Sequence, residues 1–165
     1  MTEDNRDRTE LASRDFNRIL LVKPSSLGDV IHALPVLHGL RKRYPGAKID
    51  WLIGSAFASL LEGNTDVSDR IVFDRKKFSQ VGLSLVPTRD FLRLIGALRR
   101  REYDLVIDLQ GLFRSGFLSW AAGAPVRMGF ADAREGAFIF YTHRIPRAES
   151  NVHAVDRNLR VGQLL

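Results

Sequence analysis

A chain of 165 residues, 45% hydrophobic and 27% charged, is long enough to bury one substantial core and has the balance of an ordinary globular domain. It has no cysteine, which excludes disulfide frameworks and thiolate metal sites and suits a reducing compartment such as the cytoplasm. The net charge of +6 and the isoelectric point near 10.2 favour anionic partners. No apolar run approaches the roughly 20 residues of a membrane-spanning helix, and the amino terminus lacks the apolar core of a secretory signal.

Residues 1–17 are polar and highly charged, which predicts a disordered or loosely attached extension. The domain proper is expected over residues 18–165. Arg18-Ile19-Leu20-Leu21-Val22 is a branched apolar run, as in a strand buried on both faces. After a Pro/Ser/Gly turn, apolar residues recur through Val36, Leu37 and Leu40 before Arg41-Lys42-Arg43, which predicts a helix ending on cations. Pro35 falls inside that helix and should kink it or delay its regular part, at a cost of about 3 kcal/mol if undistorted. Lys48–Ile53 reads as a second strand, Ala56–Leu61 as a short helix and Arg70–Asp74 as a third strand. Residues 75–88 are ambiguous, basic at the start and broken by Gly82 and Pro87. Asp90 is placed to cap a helix from Phe91 to about Arg101. Tyr103–Leu109 is a fourth strand, Leu112–Ala122 a helix, Val126–Phe130 a fifth strand, and residue 151 onward a helix. Strands and helices alternating about five times predict a parallel sheet with helices on both faces. The last residues, Leu164 and Leu165, stand at helical spacing with no polar tail, an ending expected of one lobe of a longer protein.

The stretch Lys23-Pro24-Ser25-Ser26-Leu27-Gly28-Asp29-Val30-Ile31-His32 joins the first strand to its helix. It therefore delivers a lysine, two serines and a carboxylate to the carboxyl edge of the sheet, where open α/β folds bind ligands. It is not a nucleotide P-loop, because no Gly-Lys-Ser/Thr follows and no GxGxxG is present. Asp29 before an apolar segment also fits a helix cap, and the two roles compete because capping lowers basicity. Ser25 and Ser26 suit either a turn or hydroxyl recognition. Gly28 is expected to supply a permissive backbone angle or close ligand approach. Gln110 and Gly111 end the fourth strand and should face the same crevice. Asp108, inside that strand, is expected to satisfy buried backbone or a cation. His32 reads as a packing histidine, and Arg99-Arg100-Arg101 as a cation-balanced helix end on the rim opposite the site. No His, Asp and Glu set has metal-ligand spacing.

Three separated stretches resemble glycosyltransferase family 9, the lipopolysaccharide heptosyltransferases. They are Lys23–Pro35, Tyr103–Leu112, and the pair Ala133–Gly136 and His153–Arg157, in the family's order. The similarity is strongest to the family's first inner-core enzyme. The resemblance implies a two-lobed glycosyltransferase with Rossmann-like halves, of which this chain is the acceptor-binding lobe. Nothing here resembles the donor motif of the other lobe, so the chain alone is expected to be inactive. The implied reaction is inverting, metal-independent transfer of heptose from ADP-heptose to the Kdo region of Kdo-lipid A, with no cofactor. Asp29 is then the base that takes the acceptor hydroxyl proton, and Lys23 an acceptor or phosphate ligand. Arg75, Lys76, Lys77, Arg114 and Arg134 would grip phosphates and carboxylates of the acceptor. Such an acceptor implies a cytoplasmic protein held peripherally on the anionic inner membrane by its basic surface. The alternatives are a non-catalytic Rossmann-like module binding an anionic sugar or nucleotide, and a nucleic-acid-binding domain. Aromatics make up only 9% of the chain and no strand interleaves them with cations, which argues against nucleic acid.

Overall fold

The computed structural model describes residues 11–74, 85–146 and 153–165. Six strands form one sheet: β1 (Arg18–Val22), β2 (Lys48–Gly54), β3 (Asp69–Phe73), β4 (Leu105–Asp108), β5 (Val126–Phe130) and β6 (His143–Ile145). Their spatial order is β3-β2-β1-β4-β5-β6 and every pairing is parallel. Among the described residues, besides a helical turn at 11–13, they are accompanied by the α-helices α1 (Leu27–Arg43), α2 (Leu85–Arg100), α3 (Phe113–Ala121) and α4 (Ala154–Leu159). Short 3-10 turns fill Ser55–Leu61, Ala137–Phe140 and Arg160–Gln163.

Burial on both faces explains the unbroken apolar runs of the central strands. Along β1, Ile19 and Leu21 join the core beneath α1, while Leu20 and Val22 join the core beneath α2 and α3. On the first face Val30, Leu37 and Leu40 of α1 meet Ile49, Trp51, Ile107 and Met128. On the second, Leu98 and Leu118 meet Leu52, Ile71 and Val106.

The strand order reverses between β1 and β4, the two strands that start the outward runs. Such a switch point opens a crevice at the carboxyl edge, because the connections leave in opposite directions. The register aligns both strand ends: Val22 lies opposite Leu52 on one side and Asp108 on the other. Lys23 N–H donates to the Leu52 carbonyl and Leu109 N–H to that of Val22, so the chain leaves both strands at the same level.

Several expectations are corrected. Residues 11–17 are no loose extension: Leu11 and Phe16 are core residues, and Asn17 N–H donates to Asp104 Oδ2 at 2.7 Å. Residues 1–10 lie outside the described residues. The helix expected from Phe91 begins at Leu85, which makes Asp90 an interior residue and not its cap. Pro87 lies within this helix and is buried. Pro35 does not interrupt α1, which runs unbroken over 17 residues with the proline on its exposed side. Strand β6 extends the sheet past the five expected strands.

The rim opposite the crevice is closed by Arg101, as expected of that arginine cluster. Its guanidinium reaches Asp50 Oδ2 and Asp69 Oδ2, each at 2.6 Å, and Tyr103 Oη donates to Asp50 at 2.7 Å. The hydrogen bond from Arg101 outweighs burial and holds Asp69 below the usual carboxylate range. Burial and then Asp50 push the Tyr103 hydroxyl well above a free phenol.

Candidate functional site

The crevice is built from the loop after β1 and the loop after β4. Lys23 follows directly on β1 and is buried. The indole of Trp51, fully buried on β2, donates to the Lys23 carbonyl at 3.1 Å and fixes its backbone. The ammonium group donates to the Leu109 carbonyl at 3.2 Å and stands 3.6 Å from Asp29 Oδ2. Burial lowers the Lys23 pKa, and the facing Asp29 opposes that only in part.

Asp29 is the third residue of α1, which Ser26 caps. Its Oδ2 accepts from the Ser26 backbone N–H at 3.2 Å and the Ser26 hydroxyl at 3.3 Å. All the contacts of this carboxylate, Lys23 included, converge on Oδ2, which leaves Oδ1 without a partner among the described residues. With a side chain 45% exposed, Asp29 offers that second oxygen to a ligand. Partial burial pushes its pKa up, but the Ser26 hydrogen bonds and Lys23 together outweigh it, so the carboxyl titrates below its ordinary range. Capping thus occupies one oxygen of the group and leaves the other to a ligand.

Replacing Lys23 by Met is expected to raise the Asp29 pKa, because a charge that favours the carboxylate is lost; carboxyl NMR titration of both forms measures the shift. The sign for stability follows. A depressed folded-state pKa stabilises above the unfolded value, and that contribution is lost as pH falls through the folded value.

Gln110 faces the crevice, whereas Gly111 is buried beneath its rim and does not line it. Ser25 N–H points at Gln110 Oε1 across 3.4 Å, and both residues line a cleft of about 240 Å³ with Leu112, Phe113, Arg114 and Glu135. Gly111 has φ of +65° and lies against Ala133, a turn that disfavours any side chain. Of the two expectations for Gly28, the permissive angle is overturned. It is an ordinary residue of the first turn of α1 with no positive φ, and a Cβ there would meet nothing within 4 Å. That open space above the helix start leaves room for close approach of a ligand.

Arg114 lines the cleft. The Arg134 backbone N–H donates to the Gly111 carbonyl at 2.9 Å, which docks its loop on the rim. Both side chains are exposed and make no ion pair among the described residues. Arg75, Lys76 and Lys77 lie outside the described residues. His32 turns away from the cleft: its ring meets that of His153 edge-on at 5.2 Å, joining α1 to α4.

Beneath the rim lies a network only partly expected. Asp108 is fully buried and its four contacts are all donors. Gln110 N–H and Gly111 N–H donate to Oδ1 at 2.9 and 3.1 Å, while the Ser115 hydroxyl and Tyr141 Oη donate to Oδ2 at 2.8 and 2.7 Å. Burial pushes the carboxyl up, against all four donors. Sequence reasoning foresaw the backbone contacts but not Ser115 or Tyr141. The ring of Tyr141 lies so close over Gly129 that a Cβ there would overlap it. Arg157 was missed as well: it stacks on the Phe130 ring at 3.9 Å, pairs with Asp132 at 2.8 Å, and its charge further lowers the Lys23 pKa. In the sequence it stands only as the last residue of the His153–Arg157 stretch, with nothing to mark its partners.

The arrangement offers a half-exposed carboxylate with one oxygen unpartnered among the described residues, a buried cation beside it, and next to them a cleft lined by the Gln110 amide and the Arg114 guanidinium. It can take a proton from a hydroxyl and hold anionic substituents of the molecule bearing it. Among the described residues no three His, Asp or Glu side chains converge to hold a metal.

Residues 91–163 match the model of glycosyltransferase family 9 (heptosyltransferase). The chain is 36% identical over 143 residues to lipopolysaccharide heptosyltransferase 1 of Pseudomonas aeruginosa, an alignment covering 85% of this chain and 40% of that protein. Identity to the protein of the same name from Escherichia coli is 32% over 142 residues, covering 85% and 44%. The solved structure of E. coli heptosyltransferase WaaC with ADP-2-deoxy-2-fluoro heptose superposes with a TM-score of 0.78 at 33% identity, covering 89% of this chain and 48% of that one. The E. coli ADP-heptose lps heptosyltransferase II structure, at 23% identity and a TM-score of 0.65, shares the fold. This chain thus spans less than half the length of these relatives and corresponds to one lobe of their fold.

Proposed function

We propose that this chain, which shares the sequence pattern and the fold of the glycosyltransferase family 9 heptosyltransferases, is the acceptor-holding lobe of a two-lobed glycosyltransferase. The donor is ADP-heptose, held mainly by a second lobe, and the acceptor is the Kdo-bearing inner core of lipopolysaccharide. The names of the relatives and the ADP-heptose analogue bound to one of them support these substrates.

The observation that carries the reading is the free Oδ1 of Asp29 at the switch-point crevice, with Oδ2 tied to Ser26 and Lys23. In the reaction, Asp29 accepts the proton of the acceptor hydroxyl as its oxygen attacks the anomeric carbon of heptose. Attack comes from the face opposite ADP, so the configuration inverts. The bond between that carbon and the diphosphate breaks, and ADP leaves with the electron pair. The Ser26 donors and Lys23 hold the carboxyl below its ordinary range, so it is ionised at neutral pH, and no step calls on a metal. Arg114 and Arg134 bind phosphate and carboxylate groups of the acceptor through charge-assisted bonds, with Ser25 and Gln110 on its hydroxyls. The basic chain, whose described helices are none of them long and apolar enough to cross a membrane, attaches peripherally to the anionic face of the inner membrane, on the cytoplasmic side.

Titration calorimetry of the chain against a deacylated, Kdo-bearing phosphosaccharide tests the acceptor side. Binding is expected to weaken with salt and to fall roughly 10-fold in Arg114→Ala, the loss of about one charge-assisted bond. Binding of ADP-heptose in this cleft, and not of the phosphosaccharide, would overturn the assignment. Saccharide binding without transfer by the two-lobed protein would favour the non-catalytic module instead.

A further inference from the structure

Away from the crevice, α3 carries aromatic side chains where a solvated helix carries polar ones. Phe113, Phe117 and Trp120 recur at i, i+4 and i+7, on the side opposite the buried Ser115, Leu118 and Ser119. Phe113 and Trp120 are each 48% exposed. The rings form a continuous ridge: Phe117 lies 5.6 Å from Trp120 and 6.1 Å from Phe140, and Phe140 lies 5.3 Å from Phe113. The adjoining 3-10 turn adds Phe138 and Ile139, the latter 60% exposed. An exposed apolar surface of this extent marks an interaction site.

Cations frame it. Arg144 stacks on the Phe138 ring at 5.2 Å, and Arg114 projects from α3 one residue after Phe113. The nearby carboxylates are engaged locally: Glu135 accepts from Phe113 N–H at 3.2 Å, and Asp90 pairs with Arg93 at 3.4 Å. Aromatic rings flanked by guanidinium groups match the boundary between acyl chains and phosphates of an anionic bilayer, where Trp and Phe enter and Arg meets lipid phosphate. Phe113 lines the cleft as well as the ridge, so the apolar surface runs without interruption into the proposed acceptor site.

We propose that this face of α3 and the Ala137–Phe140 turn seats on an anionic phospholipid surface, Trp120, Phe138 and Ile139 entering the interface and Arg114 and Arg144 binding phosphates. The choice of a lipid partner rests on the acceptor-lobe reading. Attachment by the cationic surface alone would need no aromatic residue, which separates the two ideas.

The chain has two tryptophans, and Trp51 is fully buried, so a change in emission on adding vesicles reports Trp120. With phosphatidylcholine vesicles containing phosphatidylglycerol and no lipopolysaccharide, emission is expected to shift to the blue and to be quenched by brominated acyl chains. The chain should sediment with these vesicles. Trp120→Ser with Ile139→Ser should reduce the bound fraction about tenfold or more, with circular dichroism and binding of the deacylated phosphosaccharide unchanged. No blue shift and no quenching would overturn the proposal, as would undiminished sedimentation of the folded double variant. A Trp120 shift that follows protein concentration without vesicles would overturn it in favour of a second copy on this face. Loss of saccharide binding with vesicle binding intact would strike the acceptor reading alone.

Discussion

Asn in place of Asp29 is expected to lower transfer by the complete two-lobed enzyme by roughly 10²–10⁴-fold, the usual contribution of a positioned general base. The substitution retains an oxygen that accepts from Ser26 N–H and so preserves the start of α1. It removes the basic lone pair at Oδ1. Release of ADP at saturating substrates measures the turnover defect, and an acceptor KM within a fewfold of the parent separates chemistry from binding. The pH profile adds a second reading. Because Asp29 titrates below the ordinary carboxylate range, the rate of the parent should climb with pH only in acid and be flat through neutrality. In the Asn variant that acid limb should vanish. Near-normal turnover would move the base elsewhere.

Removal of the Asp108 carboxylate is expected to be the most destabilising single change in the site. Asp108→Ala leaves the Tyr141 and Ser115 hydroxyls and two backbone N–H groups buried around a void. A buried donor left without its acceptor costs about 1–3 kcal/mol, so a loss of at least about 3 kcal/mol is expected after partial relaxation. Urea unfolding should show it as a lower midpoint with an unchanged slope. Tyr141→Phe removes one donor and leaves three, so its loss should be near the lower end of that range, about 1 kcal/mol. Equal midpoints for parent and Asp108→Ala would mean that the network contributes nothing to stability.

Much of the fold was legible because its signals are local. The runs at Arg18–Val22 and Leu105–Asp108 are apolar without alternation, which only strands covered on both faces require. The loop after β1 announced the site for the same reason: Lys23, Ser26 and Asp29 are close in the chain, and their contacts span at most six residues. What stayed hidden depends on distant partners. Leu11 and Phe16 are lone apolar residues in a charged segment, with no period to mark them. Their burial is decided by core neighbours such as Tyr44, whose ring lies 5.7 Å from Phe16. Tyr141 reaches Asp108 across 33 positions. Strand β6 has only three residues, His143–Ile145, too few to show a pattern. Pro87 read as a break, yet it lies within a helix already formed at Leu85. The strand order, which creates the switch point, has no local signature at all.

That order has a further consequence for how the crevice comes into being. The sheet divides into β1-β2-β3 and β4-β5-β6, each an unbroken stretch of the chain, and within the sheet the two pair only along the seam between β1 and β4. Lys23 and Asp29 stand on one side of the seam, Gln110 and Arg114 on the other. The cleft takes residues from both segments, so during synthesis it forms only when the second segment docks on the first. A split of the chain between Phe73 and Leu85 is expected to leave two pieces without the cleft, whose reassociation rebuilds it in one step.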